Sequence, residues 1–429
     1  MIKVFFDGED YEIKEINNLD SISKKIMENR KKLDLIPISS ILEVINQFSQ
    51  NILKNPKTQN IEGIAFLSQW FRKSNLEKII NTNFGNKEIL ENYVQIENKM
   101  IIAQPKGLVG HWIAGNVITL GIFSLIQSIL VRDANILRVP KNSIPLVLEL
   151  LKTFGESEYK DINGYDLLSS TSIIYYPKED KKSNEEFSLL CDARIIWGGE
   201  ESVNAISNTP KKETCEDVIF GPKYSFSIID AETVVNKEAL KKAMSNFVYD
   251  IIFSEQDSCT SPQVLFCEGE YSQLDKVADE LETAFKNLPK KYEKRNISMS
   301  QASNILKIRS EYALENDKDL LISFGNYWTI LKDKEMKLEE PIKSRTIFIK
   351  SCSDLYDILN LITPKIQTIG YMFQNKEKLI DISKKLNLKG VSRIVPVGQM
   401  NYYDAPWDGK LLLTRLINFN SLKLSSNLE

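Results

Sequence analysis

The chain has 429 residues, too many for one ordinary hydrophobic core, so its length predicts two or three domains. Hydrophobic residues make up 42% and charged residues 26% of the chain, which is typical of a folded globular protein and excludes general disorder. The formal net charge is -3, from 55 basic and 58 acidic side chains, so no basic field of the kind that binds nucleic acid is expected.

The N-terminal residues MIKVFFDGEDYEI alternate apolar and polar side chains around Asp7 and Gly8, which predicts a β-hairpin and not a signal peptide. Helical patterns follow over residues 21–33, 39–54 and 61–80, where apolar residues recur at three- and four-residue spacing. The N-terminal region is therefore expected to be largely helical.

The longest apolar run, residues 117–131, contains polar residues and falls short of the roughly 20 residues that a membrane span needs. A buried core helix is the expectation. The five cysteines lie far apart and form no CxxC pair, which argues against a zinc site or a disulfide framework. We therefore expect a cytoplasmic protein without a membrane span.

Strands and helices alternate from residue 100 onward, which predicts an α/β fold in which helices cover parallel sheets. We expect an N-terminal helical region and cofactor-binding domain over residues 1–222 and a catalytic domain over residues 223–400. Residues 401–429 are predicted to form a C-terminal return segment, whose apolar tail would need a partner surface.

The segment SEQDSCTSPQVLF places Cys259 among small and polar residues directly before an apolar strand. A thiolate is the nucleophilic form of cysteine and is favoured by a polar setting. A buried, inert cysteine is the alternative, because free cysteines are usually core residues.

His111 is the single histidine of the chain, so a site with several histidine ligands is impossible. A structural or substrate-lining role is the simpler interpretation of this residue. Asn116 lies where a strand turns into the buried helix, so its amide is placed either to cap that helix or to donate to an oxyanion.

Two short segments are candidates for binding a dinucleotide. Gly198, Gly199 and Glu200 follow the buried strand ARIIW, where a glycine turn lets a ligand approach the backbone, although a plain tight turn explains the pattern equally well. In LRVPKNS, Arg138 and Lys141 follow another buried strand and suit the 2′-phosphate of NADP; solvated surface charge is the alternative.

Together these segments resemble the aldehyde dehydrogenase superfamily, and within it the LuxC-type fatty acyl-CoA reductases. The resemblance runs from about Ile61 to Trp407. It is carried by five stretches in the same order: GHWIAGNVITLGIFSLIQSILVRDANILRVPKNS, ARIIWGGEE, GPKYSFSIID, EQDSCTSPQVLF and RIVPVGQMNYYDAPWDGK.

The resemblance implies a Rossmann-like cofactor domain, an α/β catalytic domain and a C-terminal strand used in oligomer contacts. It implies that Cys259 is the nucleophile, with the Asn116 amide and the Cys259 N–H as oxyanion donors. Arg138, Pro140 and Lys141, with Gly198, Gly199 and Glu200, would then contact NADPH, and no metal is needed.

One departure from the superfamily is informative. Hydrolytic relatives carry a glutamate base where this chain has Ile219, so water is poorly activated and transfer to a thiol is expected instead. The resemblance thus implies reduction of a fatty acyl thioester, from acyl-CoA or an acyl-protein, to the aldehyde.

Three further expectations concern function and partners. An acyl-protein synthetase is a possible partner, and a homo-oligomer is expected. The alternatives are oxidation of aldehydes with NAD(P), or a subunit that carries acyl groups without catalysis.

Overall fold

The computed structural model describes residues 1–61, 63–113, 118–315 and 318–424. The chain divides into a first unit, Met1–Gly221 with Tyr403–Glu429, and a second unit, Pro222–Tyr402. Both units are of the α/β class, as the alternating pattern predicts.

The described strands are β1 (Ile2–Phe6), β2 (Lys14–Ile16), β3 (Val94–Ile96), β4 (Lys99–Pro105), β5 (Leu108–Trp112), β6 (Ala134–Arg138), β7 (Glu158–Tyr159), β8 (Ile162–Asn163), β9 (Thr171–Tyr175), β10 (Ala193–Trp197), β11 (Glu216–Phe220), β12 (Tyr224–Ile229), β13 (Pro262–Glu268), β14 (Asp319–Ile322), β15 (Thr329–Asp333), β16 (Thr346–Cys352), β17 (Ile366–Met372), β18 (Arg393–Pro396) and β19 (Ile417–Leu422).

The described α-helices are α1 (Asp20–Leu33), α2 (Ile38–Lys54), α3 (Ile64–Trp70), α4 (Lys73–Phe84), α5 (Ile118–Leu130), α6 (Ile144–Gly155), α7 (Gly164–Leu168), α8 (Lys181–Leu190), α9 (Glu200–Ser207), α10 (Ala231–Val235), α11 (Lys237–Ile252), α12 (Leu274–Lys286), α13 (Met299–Leu314), α14 (Lys376–Leu388) and α15 (Leu412–Arg415).

Short 3₁₀ helices or tight turns lie at Lys87–Leu90, Lys141–Ser143, Phe253–Gln256, Tyr271–Gln273, Lys290–Tyr292, Phe324–Asn326 and Leu355–Asn360.

The main sheet of the first unit has the strand order β11-β10-β5-β6-β9-β1-β2. Its strands from β11 to β9 run parallel, so their carboxyl ends share one edge, where open α/β sheets bind their ligands. The predicted N-terminal hairpin consists of β1 and β2, which add two antiparallel strands at one edge of this sheet. Gly8 has a φ of 93° in its loop, a conformation that glycine adopts without strain.

The apolar run predicted as a buried helix is α5, in which all but two residues are buried. Its hydrophobicity therefore reflects packing inside the first unit. No helix in the described part of the chain combines the length and the apolar character of a membrane span. The single helix predicted over residues 61–80 is instead two, α3 and α4, because Arg72 between them has an extended backbone.

The main sheet of the second unit has the strand order β14-β15-β16-β13-β12-β17-β18. All neighbouring strands from β15 to β18 pair in parallel, and β14 is antiparallel at one edge. Residues 253–261, which include Cys259, connect helix α11 to the amino-terminal end of β13 in this sheet.

The apolar C-terminal tail finds a partner within its own chain. Strand β19 pairs antiparallel with β4 over six residues, from Ile417 opposite Pro105 to Leu422 opposite Met100. β19 lies at one edge of the small sheet β19-β4-β3, and its side chains after Ile417 are exposed. The tail therefore completes a sheet of the first unit.

Candidate functional site

The five cysteines differ sharply in their surroundings. Cys191, Cys215, Cys267 and Cys352 are buried, and burial raises the pKa of each thiol, that of Cys352 to about 12. Such thiols stay protonated and poorly nucleophilic near neutral pH. Cys259 is half-buried, which is what the predicted nucleophile requires.

Hydrogen bonds fix the backbone on both sides of Cys259. The Ser225 hydroxyl donates to the Cys259 carbonyl at 2.7 Å, and the Ser261 N–H donates to the Ser258 carbonyl at 3.0 Å. A trans peptide directs its carbonyl and its N–H to opposite sides. The contact at the Ser258 carbonyl therefore sets the direction of the Cys259 N–H, the group expected to receive an oxyanion.

A second set of contacts holds the chain just after Cys259. The Thr260 hydroxyl donates to the Asn401 side-chain oxygen at 2.6 Å, and the Asn401 amide donates to the backbone carbonyl of Asp250 at 3.3 Å. The Asp250 carboxylate accepts from the Met400 N–H at 3.1 Å, and burial raises its pKa to about 7. Residues 397–401 (VGQMN) thereby hold the loop that carries Cys259 in place.

The predicted cofactor residues share one edge of the first unit's main sheet. Arg138 ends β6, and Gly198 and Gly199 follow β10, with β5 between these two strands. Two strand spacings separate the strand ends by roughly 10 Å. The Arg138 guanidinium donates to the Tyr176 carbonyl at 3.0 Å and lies 5.4 Å from the centre of the Tyr176 ring, so its position is fixed.

The other predicted cofactor residues are open to a ligand. Lys141 is exposed and begins a 3₁₀ helix that follows half-buried Pro140. Gly199 precedes α9, and a Cβ atom built there would have no atom within 4 Å. Glu200 is exposed in the first turn of α9 and offsets the positive end of the helix dipole. The exposed backbone at Gly199 and the Arg138 and Lys141 side chains therefore lie at the carboxyl ends of β10 and β6, at the same edge of the sheet.

Asn116 lies outside the described residues, so its role as oxyanion donor stays a prediction. The described strand before it, β5, ends at Trp112 and the helix after it, α5, begins at Ile118.

The single histidine is structural. His111 is fully buried, with Nδ1 3.1 Å from the Ser124 hydroxyl and Nε2 2.9 Å from the Asn135 side-chain oxygen. Burial lowers its pKa to about 4, so the ring is neutral near pH 7. In the described ranges no group of three or more His, Cys, Asp or Glu side chains is arranged to hold a metal ion.

Three residues that hold the Cys259 loop were not predicted from the sequence: Ser225, Asp250 and Asn401. Ser225 lies in the stretch GPKYSFSIID and Asn401 in RIVPVGQMNYY, which carry the resemblance, but nothing local to either residue indicates a contact with the Cys259 loop. Only Thr260, next to Cys259 in a run of small polar residues, could have been suspected.

Comparison with solved structures bears on the fold. A putative aldehyde dehydrogenase from Anabaena variabilis superposes with a TM-score of 0.67 at 12% identity, covering 94% of this chain and 92% of that one. Glyceraldehyde-3-phosphate dehydrogenase from Methanocaldococcus jannaschii, solved with NADP, superposes with a TM-score of 0.62 at 15% identity, covering 97% of each chain. The chain has the aldehyde dehydrogenase fold, as predicted.

Comparison of sequences bears on the family. The long-chain acyl-protein thioester reductase of Aliivibrio fischeri is 26% identical over 343 residues, which are 77% of this chain and 66% of that protein. The Vibrio harveyi protein of the same name is 28% identical over 358 residues, 81% of this chain and 71% of that protein. The chain therefore aligns with about two thirds of each relative's length.

The profile of the acyl-CoA reductase (LuxC) family matches residues 35–419, which include the whole second unit, most of the first unit and every predicted site residue. The resemblance inferred from the five sequence stretches is thereby confirmed. The chain belongs to the acyl-CoA reductase (LuxC) family.

Proposed function

We propose that the chain reduces a long-chain fatty acyl thioester to the aldehyde, with NADPH as reductant and Cys259 as the site of a covalent acyl intermediate. The observation that carries the proposal is the contrast between half-buried Cys259, on a loop with a fixed backbone, and four buried cysteines with raised pKa values. Membership of the LuxC family supports the reaction type.

In the first step the Cys259 thiolate attacks the thioester carbonyl carbon, the bond to the donor sulfur breaks, and the donor leaves as a thiol after taking a proton. The Cys259 N–H and the Asn116 amide donate to the oxygen that becomes negative. Each such donor lowers the barrier by about 3 kcal/mol. The Ser225 and Ser261 contacts keep the Cys259 backbone in place as charge develops.

NADPH, when bound, supplies a hydride to the acyl carbon. Arg138 and Lys141 would hold its adenosine 2′-phosphate, Pro140 would contact the cofactor between them, and Gly198, Gly199 and Glu200 would line its path along the sheet edge. The resulting thiohemiacetal on Cys259 collapses, the carbon–sulfur bond breaks, and the aldehyde leaves. The same donors that stabilise the first oxyanion stabilise this one.

Ile219 favours reduction over hydrolytic oxidation. This residue is a half-buried member of β11 and offers no carboxylate that could activate water. An acyl group on Cys259 would then persist until hydride or another thiol removes it.

The names of the relatives support an acyl-protein as the donor, with coenzyme A as the other source of the thioester. We also propose that a synthetase delivers the acyl group and that the enzyme works as a homo-oligomer in the cytoplasm. Strand β19 supports the oligomer because it lies at a sheet edge and exposes 54% of Phe419 and 40% of Leu422.

The test is oxidation of NADPH by the purified chain with acyl-CoA thioesters from short to long, and with NADH in parallel. We expect turnover with long chains and NADPH, loss of turnover and of acyl labelling in Cys259→Ala, and retention of both in Cys352→Ala. Reduction by Cys259→Ala would contradict the mechanism. If no acyl-CoA reacts, an acylated carrier protein is the next substrate, and absence of NADPH binding would favour the non-catalytic subunit.

A further inference from the structure

Two three-residue segments of the second unit have a left-handed backbone. Residues 254–256 have φ values of 48°, 49° and 65°, and residues 343–345 have φ values of 64°, 53° and 61°. None of the six is a glycine, so each residue is strained in isolation. Strained backbone persists only where its surroundings hold it, and it concentrates at functional sites.

The two segments hold each other in place. The Ser344 N–H donates to the Glu255 carbonyl at 2.8 Å. The Gln256 side chain accepts from the Thr346 N–H at 2.9 Å and donates to the Thr346 carbonyl at 3.0 Å. The Gln256 side chain therefore forms, with the backbone of Thr346 at the start of β16, the two hydrogen bonds that a neighbouring strand would form.

A buried ion pair reinforces this junction. Arg345 Nε lies 3.0 Å from Glu255 Oε2, and Arg345 Nη2 lies 2.8 Å from Glu255 Oε1. The two side chains are 4% and 10% exposed. The guanidinium also donates to the Tyr292 carbonyl at 3.0 Å. A two-point contact of this kind fixes orientation as well as distance.

The junction forms the base of the Cys259 loop. The Gln256 amide also donates to the Pro262 carbonyl at 2.8 Å, which closes residues 257–261 into a loop with Cys259 at its centre. A shift of Glu255 away from Arg345 would move Gln256, and with it the anchor of this loop.

We infer that the Glu255–Arg345 ion pair is a positioning device, which holds the base of the Cys259 loop and so sets the directions of the Cys259 thiol and N–H. In this role neither Glu255 nor Arg345 contacts the substrate. The inference rests on the proposed function where it concerns catalysis, but its effect on the loop backbone is independent of any substrate.

The chain offers a matched control. Asp333 and Lys350 form another buried ion pair of the same sheet, 2.7 Å apart and 3% and 0% exposed. Asp333 ends β15, whereas Glu255 precedes the first residues of β13. Asp333→Asn therefore removes a buried charge without touching the base of the Cys259 loop.

The decisive measurement is amide hydrogen exchange of residues 257–261 in the intact chain. We expect exchange about tenfold faster in Glu255→Gln than in the wild type, and exchange within about twofold of the wild type in Asp333→Asn. Arg345→Lys, which keeps the charge but loses the two-point geometry, should fall between them. Wild-type exchange in both Glu255→Gln and Arg345→Lys would overturn the inference.

A second experiment compares two reactions of Cys259 to test whether the position of the loop affects catalysis. Acylation of Cys259 in a single turnover should be about tenfold slower in Glu255→Gln, because it needs an aligned thiol and oxyanion donor. Alkylation by iodoacetamide needs only an accessible thiol and should stay within about threefold of the wild type. Equal loss of both rates, or of neither, would contradict positioning. If the wild type is not acylated, the proposed function fails while hydrogen exchange still decides this inference.

Discussion

The Ser225 hydroxyl donates a 2.7 Å hydrogen bond to the backbone carbonyl of Cys259. The same hydroxyl accepts from the Thr368 N–H at 3.2 Å. One buried side chain thus joins the loop of the proposed nucleophile to two neighbouring parallel strands, β12 and β17. The position of Cys259 is therefore coupled to the register of the second unit's sheet.

Ser225→Ala should slow acylation of Cys259 by roughly tenfold, because the peptide after the nucleophile loses its anchor. The free energy of unfolding should fall by about 1 kcal/mol. Rapid-quench acylation and urea unfolding measure the two effects. Ser172→Ala is the control, since the buried Ser172 hydroxyl likewise donates to a backbone carbonyl, that of Phe6, but lies in the first unit. Equal acylation rates in the two variants would contradict the anchoring role.

Asn116→Ala should slow hydride transfer by about 100-fold in the rate of the reductive step. The reason is that the Cys259 N–H alone would then stabilise the oxyanion during reduction. Single-turnover oxidation of NADPH by pre-acylated protein isolates this step. An unchanged rate would leave Asn116 with the role of a helix cap.

Arg138→Ala and Lys141→Ala should each raise the KM for NADPH by about tenfold and leave the KM for NADH nearly unchanged. The physical reason is that the 2′-phosphate, which NADH lacks, is the group that a cation recognises. Lys54→Ala, which removes an exposed lysine at the end of α2, is the control. Equal effects on both cofactors would exclude recognition of the 2′-phosphate.

His111 should make the chain less stable in mild acid. Its pKa is lowered from 6.5 to about 4 in the folded protein, so between these values the unfolded chain binds more protons and stability falls as pH falls. The free energy of unfolding should drop by about 2 kcal/mol more in the wild type than in His111→Gln between pH 7 and pH 5. Urea unfolding at both pH values measures the difference, and parallel losses would contradict a buried neutral histidine.

Local patterns in the sequence predicted much of the fold. Alternation of apolar segments indicated the α/β class, and the polar residues of α5 distinguished a buried helix from a membrane span. The same reasoning failed for residues 61–80, where no proline or glycine marks the break at Arg72. That break depends on packing and not on local propensity.

For the candidate site, residue types and the resemblance predicted which side chains have the chemistry: Cys259 among small polar residues, Ile219 in place of a base, and cations after a buried strand. Three features could be seen only in the folded chain: the other four thiols are buried, Ser225 holds the Cys259 carbonyl, and Glu255 binds Arg345. The reason is physical. Local periodicity depends only on residues that are neighbours in the sequence. Burial and hydrogen bonding depend on strand register between segments that are distant along the chain.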